Sequence, residues 1–577
     1  MNKQLLALGM AGAVVCATGA ARAEGTSGFD SDRARFDVRL DAAHRESTVD
    51  YGPDCAGGYP AFEVSAAPAG GAARVRISYA THPDGLGPKG DFWRETRATY
   101  LGEKVDLPIL PASVDRYDVF EVTTAGTYRA RLQQGLVRHV KFVLEQGDAL
   151  ALSGFRLENR ATHSEEPVVG SFTCSDARLD ALWRASVRTC QLAAIPKRGD
   201  ETTFAYLSDG AKRDRLVWSG DLWWGDLNMY YAFASDSPYM PGSVRMLALN
   251  QTPEGYTWAC PYPETRTPPK SGEWGPFESD EFAAWLIPVA RQLMLYTGDG
   301  ATLRAVWPNL KKLDAYLMAH CRADGLFEQR AETSKNAGAL RFGAESTHHR
   351  LYMDVLLWKC ARDLGDLADW LGEDGAPYRA RAAKRAATIR ANYWDAAKGC
   401  FVRALEDRKM SPEGCALALA CGFATKEEAA RIVPQLKCIW HAKFEALSIR
   451  GCFAYGYGAV ALAKIMEHNW LKVLDPKWKG CRLTYECMYP STKGWGDEAH
   501  PDTAIAGAIS AAVLGVRPTA PGWSEFVFDP QAPESITRAE GRVPTPHGII
   551  EVKWWREGGE LRRELRIPDG CRLSANR

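Results

Sequence analysis

The sequence lacks the spacings that mark common metal sites. It has no Cys-x-x-Cys pair and no His-Glu-x-x-His, and its cysteines are scattered, so neither a metal nor another cofactor is expected. It has no basic block or stripe: 71 Lys and Arg stand against 71 Asp and Glu, which argues against a nucleic-acid partner. No stretch reaches the roughly 18 consecutive apolar residues of a membrane span. No short tandem repeat is visible either.

What is present begins with an export pattern. Lys3, an apolar run from Leu5 to about Ala17 and the triplet Ala21-Arg22-Ala23 form a tripartite secretory signal, with cleavage expected after Ala23. Cys16 follows Val15, where a lipid anchor would need a small residue. Removing Lys3 and Arg22 leaves 69 basic against 71 acidic residues, and removing Cys16 leaves fourteen cysteines. Some of these can pair after export, while a helical protein equally well buries free thiols. The chain carries 19 Trp and 21 Tyr. Aromatic faces stack on sugar rings, and they also fill large helical cores, so both readings stay open.

A mature chain of about 550 residues implies several domains. After the signal (1–23), residues 24–165 read as β. Alternating runs RVRISYA (74–80), YDVFEV (117–122), VRHVKFVLE (137–145) and ALALSGFRLEN (149–159) are separated by Gly, Pro and Asp turns. The helical period dominates 166–515. Ser175 is placed to cap a first helix carrying Leu179, Leu182, Trp183, Val187 and Cys190 on one face. Phe282, Trp285, Leu286, Val289, Leu293 and Tyr296 mark a second face. Leu303, Val306, Leu310, Leu313 and Leu317 mark the next, with TGDG between them. Further helices are expected over about 345–371, 375–395, 411–421, 425–436, 453–469 and 501–514, and near 221–235, 239–250 and 439–450. Paired helices of similar length predict six hairpins closed in a ring, an (α/α)6 barrel with a central funnel where loops converge. Residues 516–577 return to β alternation. The expected fold is thus multidomain and mainly α, a barrel between an N-terminal β-sandwich-like domain and a small C-terminal β domain.

Residues 208–224, SDGAKRDRLVWSGDLWW, concentrate the chemistry. Asp209, Asp214 and Asp221 precede an amphipathic helix and can converge in one pocket. Cleaving a glycosidic bond needs one carboxyl to protonate the leaving oxygen and a second to activate water or attack the sugar carbon. A neighbouring carboxylate raises the acid's pKa, and Arg213 and Arg215 oppose that shift. Spacing alone equally allows a loop whose aspartates pair with Lys212, Arg213 and Arg215. Trp223 and Trp224 are adjacent and cannot share a helix face, so one is expected inside and the other on the funnel.

DGAKRDRLVWSGD resembles the signature of six-hairpin α-L-rhamnosidases, glycoside hydrolase family 78 and its relatives. Other segments resemble the family in the same order: GSFTCSDARLDALWRASVRTCQL, LYTGD, LTYECM, and the stretch from His500 through LGVRP and PGW. Together they cover roughly residues 118–577. The resemblance implies that Asp214 is the general acid and Glu486 the base that activates water in an inverting hydrolysis. It places Asp209 and Asp221 on the rhamnose hydroxyls, Trp218 along the sugar and His500 near the base. Arg213, Trp224, Trp274 and Asp280 are expected to join the substrate site. The family's usual acid is glutamate. Asp214 is shorter by one C–C bond, about 1.5 Å, and about 1 Å of misplacement can cost 10²-fold.

Glu278, Asp280 and Glu281 in SGEWGPFESDEF could supply a substitute proton, although an acidic first turn favoured by the helix dipole accounts for them too. Asp497 and Glu498, beside His500, fit a solvated turn. HHR at 348–350, Tyr352 and Trp358 read as structural. The expected substrate is a rhamnose-containing oligo- or polysaccharide; the oligomeric state is not legible. Two other functions fit the same scaffold. One is a polysaccharide lyase acting beside a uronate held by Lys212, Arg213 or Arg215. The other is a sugar-binding protein without catalysis.

Overall fold

The computed structural model describes residues 34–52, 56–91, 116–197, 204–212, 215–260, 279–328, 348–437, 439, 442–467, 469–474, 481–485 and 499–574. The signal segment, Arg213, Asp214, Trp274, Glu278, Glu486, Asp497 and Glu498 lie outside them. The chain forms two compact units, Met1–Thr162 with Lys479–Arg482, and His163–Trp478 with Leu483–Arg577.

In the first unit, β1 (Phe36–Asp41), β2 (Glu46–Asp50), β3 (Ala56–Val64), β4 (Ala73–Ala80), β5 (Tyr117–Val122), β6 (Gly126–Arg129), β7 (Gln134–Val137), β8 (His139–Gln146) and β9 (Ala149–Glu158) form two antiparallel sheets. One runs β1-β9-β3-β6 with β7 also on β3; the other runs β2-β8-β4-β5. Their alternating apolar residues, among them Leu40, Phe62, Ile77, Phe142 and Phe155, share one core. Alternation with a period of two turns one face of each strand inward. Among the polar groups buried here, Asp91 and Arg116 pair at 2.9 Å, and Arg116 Nη2 also donates to Leu136 O at 2.5 Å.

The second unit opens with β10 (Ser171–Cys174) and α1 (Ala177–Ala193). The cap of α1 is Asp176, whose carboxylate accepts the Arg178 N–H at 3.0 Å, rather than Ser175. Ser175 Oγ instead accepts the Thr537 N–H. A short β11 (Ala194–Ile195) and β12 (Tyr206–Leu207) pair leads to α2 (Ser219–Ala232), α3 (Tyr239–Leu249), α4 (Asp280–Thr297), α5 (Gly300–Ala319), α6 (His348–Leu371) and α7 (Ala376–Tyr393). The hairpin β13 (Trp394–Asp395) and β14 (Cys400–Phe401) precedes α8 (Pro412–Ala420), α9 (Lys426–Ile432), α10 (Ala442–Ala454), α11 (Gly458–Glu467) and α12 (Ala506–Ile509). The helix expected over 501–514 is divided into a 3-10 turn (Pro501–Thr503), α12 and a π turn (Ser510–Leu514). The helix expected from 453 starts at Gly458, because α10 runs on to Ala454 and Gly456 turns the chain at φ +82.

Helix α2 packs on α4, α4 on α6, α6 on α8 and α8 on α10, while the 3-10 turn at Pro501–Thr503 packs on both α10 and α2. Helices α5, α7 and α11 pack on α4, α6 and α10 respectively. The apolar face of α4 explains its place: Phe282, Trp285, Leu286 and Val289 are all buried. TGDG ends one helix and starts the next. Gly298 takes the left-handed conformation at φ +70, which glycine adopts without a steric penalty, and Asp299 caps α5 by accepting the Thr302 N–H at 2.9 Å.

The chain ends in β15 (Val516–Pro518), β16 (Glu525–Phe528), β17 (Arg538–Thr545), β18 (Gly548–Glu557), β19 (Glu560–Arg566) and β20 (Arg572–Leu573). The order β10-β17-β18-β19 shows that a strand from before α1 completes the terminal sheet. Helices and terminal strands share a core: Trp554 Nε1 donates to Val513 O at 3.0 Å, and the Tyr231 hydroxyl donates to Val516 O at 2.7 Å. Among the described residues eleven cysteines are free, most of them buried. No described helix is long and apolar enough to cross a membrane.

Candidate active site

The loop between β12 and α2 is pinned from within. Asp209 is buried; its N–H donates to Leu216 O at 2.8 Å, and its carboxylate accepts the Leu216 N–H at 3.0 Å. Arg215 has φ +59 and is buried. Its Nη1 donates to Ala211 O at 2.7 Å, and its carbonyl accepts the Tyr206 hydroxyl at 3.2 Å. A non-glycine residue in that conformation costs about 1–3 kcal/mol, which the surrounding hydrogen bonds must offset.

This loop meets a second one from far along the sequence. The Ala211 N–H donates to Ala499 O at 3.0 Å, and the Ala499 N–H donates to Thr484 O at 2.7 Å. Thr484 is further fixed, because its N–H donates to Thr189 Oγ1 and its hydroxyl to His500 O, both at 2.9 Å. Ala499, like Arg215, is left-handed, at φ +65. The chain flanking Asp214 is thereby tied to the chain flanking Glu486. The His500 ring lies over Gly210: a Cβ there would come within 2.9 Å of His500 Nε2. His500 Nδ1 is 3.8 Å from Asp502 Oδ1.

The helix starts supply the rest. Asp221, in the first turn of α2, lies 3.6 Å from Lys443 Nζ at the start of α10, and the same ammonium is 3.8 Å from Asp502. Lys443 is buried, 4.7 Å above the Trp224 ring and 5.8 Å from that of Phe282. Trp218, half-buried at the head of α2, meets Phe282 edge-on at 5.4 Å. Asp280 and Glu281 open α4 behind the Ser279 cap, and both are buried. Burial pushes the Glu281 carboxyl up to about 8; the Lys443 charge opposes this and the Asp221 carboxylate adds to it.

Asp209, Trp218, Asp221, Trp224, Asp280 and His500 are thus drawn from separate segments of one unit, and the contacts above link all of them except Asp280 to a partner in the site. The division expected of the tryptophan pair is not seen: both are buried. Trp223 stacks on Trp285 at 4.4 Å with the Arg450 guanidinium on it, and Trp224 lies beneath Lys443. Tyr352 and Trp358 are buried, as expected of core residues. Sequence reasoning missed Lys443 and Asp502. Lys443 stands in no motif, Asp502 lies unmarked within the stretch that follows His500, and the meeting of α2, α10 and the Pro501 turn gives them a role. Among the described residues no group of three or more metal-ligating side chains occurs.

Carboxylates, aromatic rings and a buried ammonium thus meet at the ends of packed helices, the class of site that suits a glycoside hydrolase. Residues 167–443 match the bacterial α-L-rhamnosidase six-hairpin glycosidase domain, and residues 515–574 match the bacterial α-L-rhamnosidase C-terminal domain. The two stretches take in more than half of the chain, which belongs to the bacterial α-L-rhamnosidase family. An α-L-rhamnosidase of Alteromonas sp. (strain LOR) is 24% identical over 395 residues, 60% of this chain and 39% of that one. The fold is similar to the GH78 rhamnosidase of Bacillus sp. GL1 (TM-score 0.68, 20% identity, 92% of this chain and 52% of that one). It is also similar to the Streptomyces avermitilis α-L-rhamnosidase solved with L-rhamnose (TM-score 0.68, 16% identity, 93% and 49%). The rhamnosidase of Klebsiella oxytoca, solved with rhamnose bound, is covered to 89% by 83% of this chain (TM-score 0.64, 14% identity). The chain spans well under half of the curated relative and about half of the Bacillus and Streptomyces proteins.

Proposed function

We propose that this protein is an exported glycoside hydrolase that removes terminal α-L-rhamnose, or a related deoxy sugar, from oligo- or polysaccharides with inversion at the anomeric carbon. The observation that carries the reading is the hydrogen-bonded path Ala211–Ala499–Thr484, which joins the segments bearing Asp214 and Glu486. In this mechanism Asp214 protonates the departing glycosidic oxygen while Glu486 removes a proton from the attacking water. Inversion calls for a separation of about 6.5–9.5 Å between the two carboxyls. Asp209, Arg213, Asp221 and His500 hold sugar hydroxyls, Asp280 lines the site with them, Trp218 and Trp274 contribute aromatic faces, and the buried Trp224 supports the site from beneath Lys443. The helix packing order supports six hairpins closed as an (α/α)6 barrel, with the site at one mouth. No cofactor takes part in the chemistry.

The lyase reading is the weaker one on a specific ground. Arg215, one of the cations offered for a uronate, is buried and donates to its own loop. The test is release of L-rhamnose from an aryl α-L-rhamnoside, followed by proton NMR. Early appearance of the β-anomer supports inversion, early α-anomer indicates retention, and an unsaturated product absorbing in the ultraviolet would replace the hydrolase with a lyase.

A further inference from the structure

Glu281 is buried, and among the described residues neither of its carboxyl oxygens has a hydrogen-bond partner. The groups that face it come from four helices: Lys443 of α10, Asp221 of α2, Tyr352 of α6, and Trp285 one turn further along α4 itself. The Tyr352 hydroxyl and the Trp285 indole N–H lie near enough to the carboxyl to oppose the rise of its pKa, yet among the described residues neither completes a well-formed hydrogen bond, and their rings lie 6.4 Å apart. An unsatisfied buried polar group costs about 1–3 kcal/mol, and folded proteins keep few of them. Here a carboxyl, a phenol and an indole carry that cost together, at the helix ends where Asp221 and Trp218 also lie.

We propose that Glu281, with Tyr352 and Trp285, forms a further hydroxyl-binding set that positions and selects the sugar ring taken into this site. The proposal rests on the carbohydrate reading above and assigns these residues a role in binding rather than in proton transfer. The chemistry of the set fits an uncharged ring with neighbouring hydroxyls. An indole donates only, a phenol donates and accepts, and a neutral carboxyl does both through separate oxygens. Burial keeps Glu281 neutral up to about pH 8, so it can accept from one hydroxyl and donate to the next. A sugar carboxylate would instead set another acidic group beside Asp221 and Glu281.

The experiment compares the full chain with Glu281→Gln, Glu281→Leu and Tyr352→Phe. It measures kcat and KM on an aryl α-L-rhamnoside from pH 6 to 9.5, and Kd for L-rhamnose by calorimetry. Glu281→Leu is expected to raise KM and Kd about 10- to 100-fold, with kcat changed far less. Glu281→Gln keeps a donor and an acceptor, so its loss should be about 3-fold. Tyr352→Phe should fall between these and covers the case in which Glu281→Leu does not fold. In the wild type KM should rise above pH 8 as Glu281 ionises, and in Glu281→Gln that rise should vanish. Wild-type KM and Kd in Glu281→Leu, equal losses in the Gln and Leu variants, or a fall in kcat with KM unchanged would each overturn the proposal. Should the wild type neither bind rhamnose nor cleave the rhamnoside, the functional reading fails first. The set is then judged on a panel of neutral monosaccharides by thermal shift. A sugar that stabilises the wild type and Glu281→Gln but not Glu281→Leu supports it, and no such sugar overturns it.

Discussion

Replacing Glu281 by glutamine should change how stability depends on pH, by an amount the structure allows to be worked out. The carboxyl ionises near 4.5 in the unfolded chain and at about 8 in the folded one, with burial the largest cause. Between those values the folded chain retains a proton that the unfolded chain releases, so stability falls as pH rises from about 4.5 through 8. Linkage puts the loss between pH 5 and pH 7 at roughly 2–3 kcal/mol. Glutamine does not titrate. The difference in stability between Glu281→Gln and wild type should therefore grow with pH by that amount. For a cooperative unit of about 400 residues this is a relative gain in Tm of about 3 °C. Differential scanning calorimetry of both proteins at pH 5, 6, 7 and 8 reads it directly, and subtraction removes groups common to the two. A difference that stays flat from pH 5 to 8 would refute the reasoning. It would mean that the Lys443 ammonium outweighs desolvation and holds Glu281 as an ordinary carboxylate.

Other expectations follow from the same geometry. Lys443→Met leaves Asp221 and Asp502 without their shared cation and should cost about 3–5 kcal/mol by denaturant unfolding, with partial recovery in Lys443→Met/Asp502→Asn. Gly210→Ala sets a methyl within 2.9 Å of His500 Nε2. It should lower kcat/KM on an aryl rhamnoside at least about 10-fold while changing Tm by only a few degrees. Away from the site, Arg385→Met removes the cation beside the buried Asp354, which keeps the Phe327 N–H at 2.8 Å and the Tyr393 hydroxyl at 3.0 Å as donors. Arg385 Nη1 lies 3.2 Å from Asp354, whose carboxyl burial raises to about 6. The substitution should cost about 3–5 kcal/mol at pH 7 and less at pH 5, where Asp354 becomes protonated.

Much of the architecture was legible because local periodicity carries it. The apolar spacing of Phe282, Trp285, Leu286 and Val289 located α4, and TGDG located the turn into α5. The strand runs at 74–80 and 117–122 became β4 and β5 almost residue for residue. What failed depended on partners distant in sequence. Ser175 lost the cap of α1 to Asp176 because its hydroxyl serves the terminal strand segment at Thr537. The terminal sheet recruits β10 from before α1. In the site, Asp209 and Asp221 were visible as a cluster, yet the described contacts each makes reach beyond it: Asp209 accepts the Leu216 N–H, and Asp221 lies beside the Lys443 ammonium, more than 200 residues away in sequence. Glu281 stood in plain view as an acidic first turn. Only its burial among α2, α6 and α10 separates it from a solvated one.

The central claim is that Glu486 serves as the base of an α-L-rhamnosidase, and it is tested most directly by turnover of an aryl α-L-rhamnoside by the wild type and by Glu486→Gln at matched concentration. The account predicts release of L-rhamnose by the wild type and a fall of roughly 10²–10⁴-fold in kcat for the variant, with an unchanged circular dichroism spectrum and melting curve. Equal turnover by the two proteins would contradict it.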